Sequence, residues 1–460
     1  MPRWHVAGTR FHMAQTSALS GVDAAWLHTE LPTNRMIIAG FFQLADHVTR
    51  DAIAATVEPR LARFPRFMDR VVDRGGRARP RWERDPTFDV SRHIVTATVP
   101  APGDEAALQR ALSKLASEPL DKAHPLWQLH VFEDYAGGTI VFSRIHHCVA
   151  DGFALMNVLL SLCDADERHI LDAPIAPHRR LHDDWHAVLE HPSRAPDLLR
   201  ALSSYGASLL RLLLLPADPH TPLRGKLVTE KRIGWTRPLA LQEVKAIGHA
   251  AGASVNDVLM AIVAGALRTY LQRNGCELLH DVHAMVPVNL RGPDETTLLG
   301  NRFGLVVPAL PVSLSRPLER LAEMHRRMDA LKLSREARVG LAIVHAMGFL
   351  PRALEMPGVL FFATKSSVVL TNVPGPRARL LLAGSRIERT MFWMPQSGSI
   401  GVGVSIMSYA GEVTIGVMSD ALRVPDPHSL IDAIESEFET LRTVLQGNAV
   451  NTRAEVQCRT

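Results

Sequence analysis

Apolar and polar positions change period several times along the chain, and these changes mark out its elements. Strand-like runs cover Met36–Leu44, Leu126–Phe132 and Thr139–His147, and helical spacing with one apolar face covers Ala106–Ser117 and Phe153–Cys163. The region Phe11–Leu171 thus reads as a mixed α/β unit. Asp172–Gly225 then turns rich in proline, histidine and arginine and carries a leucine run, the composition of a crossover segment. A second α/β pattern follows. In Val255–Arg273 the apolar residues Val255, Val258, Leu259, Ile262, Val263, Ala266, Leu267, Tyr270 and Leu271 keep the helical period, and strands are expected at Val282–Val288, Val368–Leu370, Ile400–Ser408 and Glu412–Met418. The expected architecture is two α/β domains, residues 1–175 and 226–460, joined by a crossover linker at 176–225.

Composition narrows this picture. A chain of 460 residues supports two or three domains with large cores, and 47% apolar with 21% charged residues excludes long disorder and collagen-like repeats. The net charge of +4 is too small to point to nucleic acid. Cys148, Cys163, Cys276 and Cys458 form no CxxC pair, which argues for a reducing compartment and against structural zinc. Met1–Arg10 lacks the apolar stretch of a secretory signal, so a cytoplasmic protein is expected. The greasiest windows, Ala207–Leu215 (interrupted by Arg211) and Val339–Leu350 (containing His345), fall short of the roughly 20 residues a membrane-spanning helix needs. Any membrane contact would be peripheral, with Leu209, Leu210 and Leu212–Leu215 as candidates; the alternative is a helix packed on the core.

The strongest chemical signal is Arg144-Ile145-His146-His147-Cys148-Val149-Ala150-Asp151-Gly152. Strand alternation puts His146 and His147 on opposite faces, so one can line a cavity while the other packs inside the domain. Asp151-Gly152 reads as a tight turn before an apolar helix. A neutral imidazole can take a proton from a hydroxyl, which is general-base chemistry. Asp151, past the turn, suits an ion pair that holds the loop, and Arg291 is the expected partner. There is no GxSxG elbow, and Cys148 should point away from His147, so covalent catalysis is not expected. There is no HExxH, and His280-Asp281-Val282-His283 is a lone HxxH, so no metal site is expected.

These residues carry a family resemblance. His146–Gly152 resembles the HHxxxDG motif of CoA-dependent acyltransferases, a superfamily that includes peptide-synthetase condensation domains. Further blocks resemble the bacterial wax ester synthase/diacylglycerol acyltransferase family over nearly the whole chain: Leu19-Ser20-Gly21-Val22-Asp23 with Trp26-Leu27, Pro125–Val131, Asn256-Asp257, Pro287–Arg291, Gly300-Asn301-Arg302-Phe303 and Asn372–Pro376. Asp134, Trp26 and Thr371 depart from the family pattern, and none of them touches the histidine pair in sequence.

The resemblance implies an α/β fold of two CoA-dependent-acyltransferase-like domains with an active-site channel between them. It implies transfer of a fatty acyl group from acyl-CoA, as co-substrate and with no other cofactor, to diacylglycerol or a long-chain alcohol. His147 would be the general base, His146 and Asp151 structural, and Gly152 would leave room beside the imidazole. The work would be done from the cytoplasm, peripherally on the inner membrane or lipid bodies. The competing expectations are a related acyltransferase with another acceptor and a non-catalytic lipid-binding homologue.

Other residues carry lesser expectations. Asn256, in the first turn of its helix, is a candidate oxyanion stabiliser, and Asp257, three residues after Ser254, fits a capping box. Trp127, His130 and Arg291 are candidate substrate contacts, with core packing as the alternative for the first two. Five arginines in Arg74–Arg84 would attract CoA phosphates or anionic head groups, or simply be solvated.

Overall fold

The computed structural model describes residues 16–75, 79–164, 195–277, 280–291, 299–350 and 352–457. Two sheets dominate, each with its own apolar core.

The first sheet has six strands in the spatial order Leu381–Leu382, Ser385–Trp393, Ile37–Leu44, Gly138–His146, Trp127–Tyr135 and Ile94–Ala97. The strand Gly138–His146 is central and buried at every residue. Helices Arg50–Leu61, Glu105–Ser117 and Gly152–Ser161 accompany this sheet, capped by Thr49, Asp104 and Asp151, whose side chains accept first-turn backbone N–H groups.

The second sheet runs Phe303–Val306, Val282–Asn289, Val368–Pro374, Val402–Tyr409, Glu412–Asp420 and Lys231–Trp235, with two short strands at its rim. Its central pairs, Val282–Asn289 with Val368–Pro374 and the latter with Val402–Tyr409, are parallel, and their residues are largely apolar because helices cover the sheet. Helix Val255–Arg273 has the bounds its periodicity predicts and lies inside this second core.

The division expected from the sequence needs one correction. Residues 381–393 lie in the C-terminal part of the chain but extend the first sheet, with Trp393 opposite Ala39 and Met391 opposite Phe41. Without them Ile37–Leu44, an almost wholly buried strand, would present an open edge of unpaired backbone groups. The crossing strand also brings Trp393 against Phe41 and Trp235, with ring centroids 5.9 and 5.7 Å away, so an aromatic cluster joins the two sheets. Of the expected 176–225 linker, residues 176–194 lie outside the described residues, and the remainder holds the helix Ala195–Leu214.

That leucine-rich helix packs Leu212 against Val307 and Val339 and anchors Arg211 on the buried carboxylate of Glu336. Leu209, Leu210, Leu213 and Leu214 remain exposed on its other side. Among the described residues no single helix is long and apolar enough to cross a membrane.

Candidate active site

The buried strand ends at His146, and the chain turns through His147–Val149 before Asp151 caps the next helix. The turn is held through its backbone. His147 N–H donates to the Met36 carbonyl (2.6 Å), and the His147 carbonyl accepts from Asn301 Nδ2 (2.8 Å). The same Asn301 amide donates to Asp23 Oδ1 at 2.8 Å. Arg66 completes the frame, donating to Asp23 Oδ2 (3.0 Å) and to the Val149 carbonyl (2.8 Å). Asp23 is fully buried, so its carboxylate is satisfied only through these partners.

The two imidazoles have different surroundings. His146 Nδ1 accepts from Cys148 N–H (3.1 Å), and its Nε2 lies 4.0 Å from the Glu30 carboxylate, which in turn touches Lys122. Burial first, and then the Lys122 charge, pushes the His146 pKa down to about 3, leaving a neutral structural ring. His147 instead stacks face to face on Trp26, with centroids 4.5 Å apart, and meets Phe303 at 5.7 Å. Burial lowers its pKa below the usual histidine value, while its own carbonyl, Asp151, Asn301 and Asp23 pull upward. Its Nδ1 makes no hydrogen bond among the described residues. Cys148 is buried, and burial raises its thiol well above the usual range, so it offers no thiolate.

Asp151 and Arg291, expected to pair, lie 2.7 Å apart and are both buried. Asp151 Oδ1 also accepts from Ala154 N–H, and Oδ2 from the Arg302 backbone (both 2.9 Å), while Arg291 Nη2 donates to the Gly300 carbonyl. One carboxylate therefore caps the helix after the histidine turn and fastens it to the second half of the chain.

Two cavities are walled by the rings packed on His147. The larger is apolar and lined by Trp26, Leu212, Met285, Leu305, Ile343 and Phe362 among others. The smaller includes Asp151, Gly152, Phe303, Asn372 and Met394. Trp26 lines the first and Phe303 the second, and these two rings also stack on each other at 5.9 Å, so His147, Trp26 and Phe303 form one ring cluster. Tight backbone packing keeps the wall of the larger cavity in place. A Cβ on Gly348 would fall 1.6 Å from the Gly21 carbonyl oxygen, and one on Gly304 would fall 1.8 Å from that of Ala337.

Other expected site residues lie elsewhere. Trp127 is a core residue whose Nε1 donates to the Phe67 carbonyl (2.8 Å) and whose ring stacks on His93. His130 is buried beside Phe142, its pKa pushed down to about 4 by burial and then by Arg144. Both are buried, because their strand is covered on both sides, in keeping with the core-packing alternative. Arg291 is spent on Asp151 and Gly300, so its guanidinium has a structural task. Asn256 Oδ1 accepts from Asn372 Nδ2 (3.0 Å), and its amide nitrogen faces Met260 Sδ within its own helix. Asp257 forms the capping box with Ser254 and also holds His325 Nδ1 at 2.8 Å. His283, of the lone HxxH, pairs with Asp218 (2.7 Å).

Sequence reading alone gave no role to Asp23, Arg66, Asn301, Trp26 or Phe303. Four of these lie in the blocks Leu19–Leu27 and Gly300–Phe303, which stood out as motifs without a task; Arg66 carried no signal.

Comparison with known proteins identifies the family. Residues 19–259 match the wax ester synthase/diacylglycerol acyltransferase catalytic domain, and residues 299–442 match the WS/DGAT C-terminal domain. The Mycobacterium tuberculosis protein named "Probable diacyglycerol O-acyltransferase tgs1" is 27% identical over 88% of this chain and 90% of its own length. Its relative tgs2 is 28% identical over 80% of this chain and 84% of its own length. The fold is shared with the Marinobacter aquaeolei wax ester synthase/diacylglycerol acyltransferase (TM-score 0.68, 20% identity, 94% of this chain and 100% of that one). It is also shared with the starter condensation domain of rhizomide synthetase (TM-score 0.60, 14% identity, 94% of both chains). With family matches at both ends and an HHxxxDG turn at the junction of its two sheets, this chain belongs to the wax ester synthase/diacylglycerol acyltransferase family.

Proposed function

We propose that this acyltransferase moves a fatty acyl group from acyl-CoA to the hydroxyl of diacylglycerol, a long-chain alcohol or both, with His147 as general base. The observation that carries this reading is the His147 ring at the end of the HHxxxDG turn, packed against Trp26, which walls an apolar cavity, and against Phe303, which walls a second.

Neutral His147 accepts the acceptor's hydroxyl proton as the oxygen attacks the thioester carbonyl. The tetrahedral intermediate collapses, the C–S bond breaks, and the imidazolium returns the proton to the leaving CoA sulfur. Every atom transferred comes from the two substrates, so the reaction requires no further cofactor. Lowered basicity suits the task, because a ring that is neutral before the reaction is ready to take the proton.

The larger cavity is the acceptor side. The helices that line it, Ala195–Leu214, Glu336–Met347 and Arg352–Ala363, carry Leu210, Leu214, Leu360 and Phe361 exposed at the surface, and Phe349 and Leu350 follow directly after the second of them. Arg79 of the basic loop sits 4.1 Å over the Phe349 ring. Exposed apolar side chains beside a cation suit an anionic lipid surface, from which a water-insoluble acceptor would pass into the cavity. Peripheral docking on the inner membrane or a lipid body follows from this reading.

The test is product formation from labelled palmitoyl-CoA with hexadecanol or dioleoylglycerol, alongside a His147→Ala variant. General-base catalysis is typically worth ~10²–10⁴ in rate, and the variant is expected to lose that much with its fold intact. Undiminished turnover by His147→Ala would overturn the assignment of the base.

A further inference from the structure

Three polar side chains, Asp151, Thr371 and Asn372, stand in the wall of the smaller cavity among otherwise apolar residues, one of which is the Phe303 packed on His147. Two of the three are already committed. Asp151 gives its oxygens to Arg291 and to the backbone N–H groups of Ala154 and Arg302. Thr371 is buried, and its Oγ1 donates to Ser405 Oγ at 3.2 Å.

Asn372 is different. Among the described residues its side chain makes one hydrogen bond, from Nδ2 to Asn256 Oδ1 at 3.0 Å. A primary amide has two N–H groups and a carbonyl, so one N–H and the carbonyl stay uncommitted. The residue sits near the carboxyl end of the strand Val368–Pro374, and Pro287, near the same end of its parallel neighbour Val282–Asn289, lines the cavity with it. In open α/β sheets the carboxyl ends of parallel strands are where ligands gather.

Asn256, the oxyanion candidate from the sequence, lines neither cavity. Its carbonyl oxygen accepts from Asn372, and its amide nitrogen faces Met260 Sδ at 3.4 Å. Both ends of its amide are therefore turned to protein groups. What Asn256 does supply is an anchor, on the first turn of the buried helix Val255–Arg273, that fixes the plane of the Asn372 amide.

We propose that Asn372 is the side-chain oxyanion donor of the acyl transfer and that Asn256 is its positioning residue. The inference rests on the acyl-transfer reading and completes its site. As the acceptor oxygen attacks, the thioester carbonyl oxygen becomes an oxyanion, and the free Asn372 N–H hydrogen-bonds to it without giving up its proton. When the C–S bond breaks, the charge returns to the carbonyl, the ester leaves, and the CoA sulfur takes its proton from the His147 imidazolium.

The experiment measures kcat and KM for palmitoyl-CoA with hexadecanol in wild type, Asn372→Ala, Asn372→Asp, Asn256→Ala and the double variant Asn256→Ala/Asn372→Ala, with melting curves to confirm folding. Asn372→Asp keeps the shape and the link to Asn256, whose amide can turn to donate, but offers no N–H. Both Asn372 variants are expected to lose roughly 10²–10³ in kcat, with KM for palmitoyl-CoA nearly unchanged. Asn256→Ala should lose less, and the double variant should be no worse than Asn372→Ala, because Asn256 acts only through Asn372. Full turnover by a folded Asn372 variant, a loss confined to KM, a larger loss in Asn256→Ala, or losses that multiply in the double variant would overturn the assignment and leave the acyltransferase reading intact. Absence of turnover by wild type would instead defeat that reading itself.

Discussion

Arg291 Nη1 donates to both carboxylate oxygens of Asp151, at 2.8 and 2.7 Å, across 140 residues of chain and from one sheet to the other. Both groups are buried, so removing one partner leaves an uncompensated charge, at a cost of about 3–5 kcal/mol. Asp151→Asn and Arg291→Met should each lower the melting temperature markedly. The double variant Asp151→Asn/Arg291→Met should recover part of the stability, because no charge is then stranded. A double variant no more stable than the worse single one would show that the pair's role is not electrostatic.

Asn301 holds the His147 carbonyl and the Asp23 carboxylate at once. Replacing it with Ala removes hydrogen bonds worth about 1–3 kcal/mol in a buried setting, equivalent to roughly ten- to hundredfold in rate if the imidazole is misplaced. The loss should fall on kcat rather than on KM for acyl-CoA, because Asn301 positions the base without lining either cavity. Steady-state kinetics of Asn301→Ala decides this, and a pure KM effect would count against a positioning role.

Because His147 has its pKa lowered, it is neutral at and somewhat below the usual histidine value of 6.5. The acid limb of kcat/KM should therefore lie below pH 6.5 and reflect protonation of the base. A plot of log kcat/KM against pH checks this, and a limb centred above 6.5 would contradict the buried, stacked setting of the ring.

Stability should follow the other buried histidines. His146 and His130 titrate at about 3 and about 4 in the folded chain but near 6.5 once unfolded. The unfolded state then binds more protons between those values, so stability is full above pH 6.5 and falls as pH drops toward 4. Melting temperature measured across this range should show the decline, and His130→Leu should make it shallower.

The exposed leucines predict a surface effect. Leu210 and Leu214, one helical turn apart, are 56% and 70% exposed beside the larger cavity. Changing both to Asp should weaken cosedimentation with phosphatidylglycerol-containing vesicles and lower turnover of dioleoylglycerol, while leaving a short, water-soluble alcohol unaffected. Equal loss with both acceptors would place the effect in the fold and not at a lipid surface.

Much of this was legible in the chain. The helix Val255–Arg273 follows from a sustained apolar period, and the strand leading to His146 from an apolar run that ends at a turn signal. The general-base candidate follows from residue type and local spacing, and the Asp151–Arg291 pair from two charged residues in separate motif blocks 140 residues apart. The crossing strand Ser385–Trp393 was not legible, because its partner Ile37–Leu44 lies some 350 residues earlier and strand pairing leaves no local trace. Trp127 and His130 sit in a motif block, yet face the core, because alternation along a strand does not say whether one face or both are covered.

The sequence by itself determined the family and the element types and singled out His147 as the candidate base, since these rest on local periodicity and on motif residues. Tertiary structure alone decided that Trp26 and Phe303 pack against the His147 ring, that Asp23, Arg66 and Asn301 hold its turn, and that those two rings also wall cavities. Those relations join residues from distant parts of the chain, and only the packing of two sheets, fixed by close-contact glycines and a shared strand, brings them within reach.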